Sequence, residues 1–282
     1  MEAPKHIEVL FLAGLRADRV SHLGRMRHPL YFGNQHRNVA QLAVSQFAFS
    51  RSQMKIASKF FVPAEGLDSM NNQTRGVRGS TRFWDKIAKR YARTPIADES
   101  AYQRKLEMTQ ALLRPDMSLF EFGCGTGSTA LAHASCVDHI EATDLSPEMI
   151  RIAQEKADAA GVTNVTFTAV PIEQWIPPED GYDMVLGLSI LHLVEDRTAV
   201  LAKVHQMLKP GGLFISSTAC LKDSMAWFGL IAPLGKALGL LPTVRIFTAS
   251  ALAQNIQDAG FVIDENWHPG RGKAVFIIAR KT

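Results

Sequence analysis

Apolar residues change their spacing at about residue 81 of this chain. From there Phe83, Trp84, Ile87, Ala88 and Tyr91 recur at intervals of one, three and four, which predicts a helix with a single apolar face starting at Thr81. A second helical pattern runs from Glu99 to Leu113 on Leu106, Met108, Leu112 and Leu113. Beyond Pro115, short apolar runs alternate with helical stretches. Leu119 to Phe122, His139 to Thr143, Val165 to Ala169, Met184 to Leu188 and Leu213 to Ser217 read as strands. Between them lie a small-residue helix from Ser128 to Ala134 and a helix with Ser146 as N-cap, Pro147 at its first position and Gly161 closing it. A third helix, Arg197 to Leu208, ends at the turn Lys209-Pro210-Gly211-Gly212. This alternation predicts an α/β fold with a parallel sheet covered on both faces. The end of the chain breaks the rhythm: residues 224–247 form an apolar, loop-like insertion, and a helix follows from Ala249 to Ala259. Two last strands, Phe261 to Glu265 and Ala274 to Ala279, have too short a link for a crossover helix and are expected to pair antiparallel.

Upstream of residue 81 the texture differs. No acidic residue occurs between Arg19 and Ala64, and the segment is rich in Arg, His, Ser and Gln without a sustained period. Residues 1–80 are therefore read as a basic, poorly ordered N-terminal extension, and 81–282 as the folded domain. The extension is either an Arg-rich organellar targeting segment, against which Glu2 and Glu8 count, or a non-functional run ahead of a real start at Met54 or Met70. The net charge of +4 lies here: residues 1–80 carry 11 Lys and Arg against 5 Asp and Glu, whereas 81–282 carry 20 against 22. The folded part thus lacks the basic excess expected of a nucleic-acid binder.

With 46% apolar and 21% charged residues the chain can bury a core, and no run approaches the roughly 18 apolar residues of a membrane-spanning helix. Cys124, Cys136 and Cys220 have no paired spacing, and His133, Cys136 and His139 lack a fourth ligand, so neither a disulfide framework nor a metal site is expected. A cytoplasmic location, organellar if residues 1–69 are a targeting segment, fits this cysteine usage.

The chemistry concentrates in Glu121-Phe122-Gly123-Cys124-Gly125-Thr126-Gly127, between a strand and a helix. Glycines there permit a tight turn and close approach of backbone amides to a ligand. Asp144 follows Gly123 by 21 residues at the end of the next strand, where an acid can accept hydrogen bonds from ribose hydroxyls. A dinucleotide fingerprint needs glycine at the position of Ser128; here the third glycine comes one residue early. With Ala142-Thr143-Asp144-Leu145-Ser146, Tyr182-Asp183-Met184-Val185 and Leu208-Lys209-Pro210-Gly211-Gly212, this resembles the class I S-adenosylmethionine-dependent methyltransferase family, over roughly residues 81–282. In general layout it is similar to the ubiquinone/menaquinone methyltransferase-like branch, which acts on small molecules.

That resemblance implies a Rossmann-like, doubly wound seven-stranded sheet of order 3-2-1-4-5-7-6 with strand 7 antiparallel. It implies S-adenosylmethionine as cofactor, with Gly123, Gly125 and Gly127 around its methionine part, Cys124 as a small filler in the turn, and Glu121 orienting its amino end. Asp144 would hold the ribose, Leu145 would pack on adenine, and Leu188, ending the fourth strand, would line the donor site. Relatives often place an acid after the third strand to meet the adenine amino group. Here that position is Pro171, leaving the Ile172 backbone, Leu145 packing or Glu173 to serve. Tyr91 lies in the helix that folds over the cofactor in relatives, while core packing explains Trp84 better. His192, after the fourth strand, is a candidate to take a proton or orient the acceptor, the alternative being a helix-start histidine bonded to backbone. The 224–247 insertion, rich in Met, Trp, Phe and Leu, suits a lid over a small apolar acceptor, though core packing or a dimer contact fits its composition nearly as well. Two rival readings remain: a non-catalytic binder of the same cofactor, and an NAD-dependent oxidoreductase, which Ser128 disfavours. Nucleic-acid and stable membrane partners are not expected, and the oligomeric state is left open.

Overall fold

The computed structural model describes residues 69–225, 241–270 and 272–282. The extension over 1–68 and the middle of the apolar insertion, 226–240, lie outside the described residues. The elements are α1 (Ser69–Arg93), α2 (Glu99–Gln110), β1 (Ser118–Phe122), α3 (Ser128–His133), β2 (His139–Asp144), α4 (Pro147–Ala160), β3 (Val165–Ala169), β4 (Tyr182–Leu188), α5 (Arg197–Met207), β5 (Leu208–Thr218), α6 (Lys222–Met225), α7 (Ala249–Asp258), β6 (Phe261–Trp267) and β7 (Val275–Lys281). The seven strands form one sheet in the order β3-β2-β1-β4-β5-β7-β6. β1 to β5 pair in parallel, and β7 runs antiparallel to both β5 and β6.

Strand residues of opposite parity separate the core into two layers, because successive side chains leave a strand on opposite faces. Phe120, Val185, Phe214 and Ile277 enter one buried cluster, packed with Leu201 of α5 and Ile256 of α7. Their neighbours Leu119, Met184, Ile215 and Phe276 enter the other, packed with Ala130 of α3. Such continuous apolar runs are what a sheet covered on both faces requires. Each buried Leu, Ile or Phe contributes about 1.5–3 kcal/mol, against about 1 kcal/mol for a helix cap, so the layering decides the fold and the caps trim it.

The caps set where helices start around the site. Ser146 Oγ accepts from Met149 N at 3.2 Å at the head of α4, and Gly161, at φ 66°, closes that helix. Asp98 and Asp196 cap α2 and α5 in the same way. A third apolar cluster of Ala88, Met149 and Ile152, with Trp84 and Ala92 against it, docks α1 on α4.

The boundaries differ from the expected ones in instructive ways. α1 begins at Ser69 rather than Thr81, so the division drawn at residue 80 falls inside a helix; the polar, Gly-containing stretch 69–80 has no apolar period to announce it. α2 stops at Gln110 instead of reaching Leu113. The Lys209-Pro210-Gly211-Gly212 turn sits inside β5: Tyr182 pairs with Leu208 but Met184 with Leu213, so the turn is an irregular outward step of a strand that has already started.

Candidate active site

The carboxyl ends of β1, β2 and β4, adjacent parallel strands inside the sheet, position the candidate groups. β1 delivers Glu121 and the glycine turn, and β2 delivers Asp144 beside it, since Phe122 pairs with Thr143. The turn is tied from both sides. Cys124 N donates to Thr143 O at 2.9 Å and Gly127 N to Cys124 O at 3.0 Å. Lys156 of α4 reaches back to Thr126 O at 3.0 Å, Thr126 Oγ1 at 2.9 Å and Ser128 Oγ at 3.1 Å.

The three glycines share positive φ (66°, 54° and 73°) but have different neighbours. A Cβ on Gly123 would lie 2.6 Å from Ile190 Cγ1, and one on Gly127 would lie 2.8 Å from Ala153 Cβ and from the Phe167 ring. A Cβ on Gly125 would approach only Tyr91 Cε1, at 3.7 Å, among the described residues. Gly123 and Gly127 are therefore fixed by protein packing, whereas Gly125 faces open space.

Two carboxylates flank that space. Asp144 accepts from Gly125 N at 3.0 Å and Ser146 N at 2.8 Å, which aims it across the turn. Burial raises its pKa to about 6, against the pull of those amides and with Asp85 adding to the rise. Glu121 is 2% exposed, and its Oε2 has no hydrogen-bond partner among the described residues. Burial, with the Asp144 charge behind it, pushes Glu121 up to about 8. A buried carboxylate oxygen without a donor costs stability unless something supplies one, and a ligand ammonium would.

Two cavities meet at the turn. A cavity of about 60 Å³ is lined by Asp144, Leu145, Pro171, Ile172, Glu173 and Trp84, among others. It brings together the residues assigned to adenine and adds Trp84, which the apolar period had placed in the core. A second, of about 940 Å³, is bounded by Glu121, Gly125, Cys124, Tyr91, Leu188 and His192, among others. Tyr91 stands over Gly125 with its ring edge-on to Trp84 at 6.2 Å; burial first, then the Asp144, Glu121 and Tyr102 hydroxyl or carboxylate charges, raises its pKa, so it stays a neutral donor. Burial pushes the Cys124 thiol well above its usual range, in keeping with a filler and not a nucleophile.

His192 is 5% exposed on the segment after β4, and burial lowers its imidazole to about 4. Its carbonyl accepts from Arg245 N at 2.7 Å, so the tail of the apolar insertion is fastened to this segment. Just before it, Ser189 adopts φ 57° while its N–H donates to Ser217 O at 2.6 Å. A left-handed serine at a strand end beside a cavity is a conformation folds retain mainly at functional sites.

Three residues escaped the sequence reading. Asp85 of α1 accepts from Ser146 Oγ at 2.5 Å and Glu148 N at 3.2 Å, clamping α1 to the head of α4. Lys156 and Lys105 are the others. All three act across long sequence separations, with no local pattern to mark them. Among the described residues no cluster of three His, Cys, Asp or Glu side chains could hold a metal ion, and no helix is long and apolar enough to cross a membrane.

A parallel sheet with a glycine turn after β1 and an acid after β2 defines a Rossmann-like α/β domain that binds an adenosine-containing cofactor. Residues 119–212 match the family model described as a methyltransferase domain. The chain is 26% identical over 167 residues to the ubiquinone biosynthesis O-methyltransferase of Methylobacterium sp. (strain 4-46), covering 56% of this chain and 66% of that one. It is 27% identical over 210 residues to the demethylmenaquinone methyltransferase of Geobacillus kaustophilus, covering 64% and 87%. A solved S-adenosylmethionine-dependent methyltransferase from Mesorhizobium loti superposes with a TM-score of 0.53 at 21% identity, over 65% of this chain and 99% of that one. Across three curated relatives the chain spans 5%, 66% and 60% of their own length. Residues 119–212 thus carry a methyltransferase domain, on a fold shared with solved S-adenosylmethionine-dependent methyltransferases, whose cofactor is S-adenosylmethionine.

Proposed function

We propose that the protein transfers a methyl group from S-adenosylmethionine to oxygen or carbon of a small, largely apolar acceptor. The observation that carries the reading is the donor-less Oε2 of Glu121, buried beside a glycine turn open at Gly125. These residues fit the cofactor: Glu121 would accept from its amino end, Asp144 from its ribose hydroxyls, and Leu145, Ile172, Glu173 and Trp84 would enclose its adenine. When bound, S-adenosylmethionine supplies a methyl carbon already made electrophilic by its sulfonium. What remains for the chain is alignment and exclusion of water, which can supply much of the rate. Tyr91 covers the turn, and Leu188 and Ser189 present the carboxyl edge of β4. His192, neutral above about pH 4, lines the larger cavity, where it would accept a proton from the acceptor or orient it.

The size of the larger cavity and the phenyl rings along it support a ring-sized acceptor. Relatives named for ubiquinone biosynthesis and demethylmenaquinone methylation support the same reading. A second reading, binding without turnover, is favoured by the low basicity of His192. The test is transfer of labelled methyl from S-adenosylmethionine to a panel of phenols, catechols and quinols, read with release of the demethylated product. Labelled acceptor supports transfer; cofactor binding with no labelled product across the panel supports the second reading.

A further inference from the structure

Resting on the methyl-transfer reading, we propose that Lys105 is a specificity-determining residue that selects an acceptor with an anionic oxygen, an aromatic carboxylate or phenolate in place of a neutral ring. Lys105 lies on α2, 112 residues from Ser217, yet its Nζ donates to Ser217 Oγ at 2.8 Å. Ser217, the penultimate residue of β5, pairs with Leu188 of β4, and its carbonyl holds the left-handed Ser189. The ammonium therefore stands at the carboxyl edge of β4 and β5, where the larger cavity opens. Among the described residues Ser217 is its one hydrogen-bond partner, and an ammonium has three N–H groups.

Its surroundings do not neutralise it. Asp98, the carboxylate that acts on it, is already engaged by Lys273 at 2.6 Å, by the Ala101 amide at 3.1 Å and by the Ser100 hydroxyl at 2.9 Å. Lys273 opposes Asp98 at Lys105, and burial outweighs both, lowering its pKa. The cavity thus carries charge at two places: Glu121 at the glycine turn would receive the cationic donor, and Lys105 stands as a half-buried cation beside Ser217 of β5. Partial burial strengthens that cation's attraction for an anion and already pulls its own pKa down. Tyr102, three residues before Lys105 on α2, lines the same cavity and offers an aromatic body a surface while the ammonium takes its charged oxygen.

The test is calorimetry on the full chain saturated with S-adenosylhomocysteine, using benzoate, salicylate and 4-hydroxybenzoate, each against its methyl ester. Wild type should bind at least one acid about tenfold or more tightly than its ester. Lys105→Gln should erase that preference with S-adenosylhomocysteine affinity unchanged, and Lys105→Arg should keep it. An equal or better affinity for the esters, no binding of any acid, or a preference that survives in Lys105→Gln overturns the proposal. If Lys105→Gln does not fold, the wild-type pairs and Ser217→Ala, which frees the ammonium and should retain the preference, decide it. Failure of wild type to bind S-adenosylhomocysteine at all would instead sink the methyl-transfer reading.

Discussion

Single residues around the glycine turn divide by what their neighbours are. Gly127→Ala should destabilise the fold more than Gly125→Ala does, because both face about 1–2 kcal/mol of left-handed strain but only the first drives a methyl into Ala153 and Phe167. Gly125→Val should in turn lose cofactor binding while still folding; melting curves beside calorimetry separate the two. Asp144→Ala should weaken S-adenosylhomocysteine binding by about 1.5–3 kcal/mol, the scale of hydrogen bonds to a charged group. Unchanged affinity would remove Asp144 from the ribose role.

Glu121 makes a pH prediction of definite sign. Its folded pKa of about 8 lies above its ordinary 4.5, so the folded state binds a proton that the unfolded state has released between those values. Its contribution to stability is complete below about 4.5 and is lost as pH rises through 8. Asp144, raised from 3.8 to about 6, adds a loss of the same sign at lower pH. Ligand-free protein should therefore melt at falling temperature from pH 5 to pH 8, less steeply in Glu121→Gln. Cofactor binding runs the other way, because an ammonium favours the ionised carboxylates: affinity should rise over that range, with proton release seen in buffers of different ionisation enthalpy. A flat profile in both measurements would contradict the buried, donor-less carboxylate.

At the scale of elements, α1 is held over the site by two devices, the apolar contact of Trp84 and Ala88 with α4 and the Asp85 clamp on its first turn. Asp85→Ala removes an acceptor from Ser146 Oγ and Glu148 N, a loss of about 1 kcal/mol by the scale of helix caps. It should lower cofactor affinity several-fold without touching the ligand, with a small fall in melting temperature. A variant with wild-type affinity would show that the apolar contact alone seats the helix. The amphipathic half of α1 was legible from Phe83 to Tyr91, because a helical period is local information. Its start was not, since nothing in 69–80 alternates. The same limit applies to Asp85, Lys105 and Lys156, whose partners are 61, 112 and 30 residues away. Trp84, on the apolar face that its period marks, also lines the smaller cavity beside Asp144.

For the whole molecule, strand order and the reversal of β7 followed from the alternation of elements, the short final link and the family resemblance together. The glycine turn and Asp144 were legible because their spacing is fixed by the crossover through α3 between two adjacent parallel strands. The acceptor end was not, since it is assembled from α2, β5 and β7, which no motif joins. A chain beginning at Met70 should keep its melting temperature and cofactor affinity, and a truncated chain that fails to fold would assign the preceding residues to the core. The most direct test of the central claim is calorimetric titration of the intact protein with S-adenosylmethionine, S-adenosylhomocysteine and NADH in separate runs. Binding of the first two, weakened in Asp144→Ala, with no NADH binding is the predicted result; binding of NADH alone, or of none of the three, would contradict it.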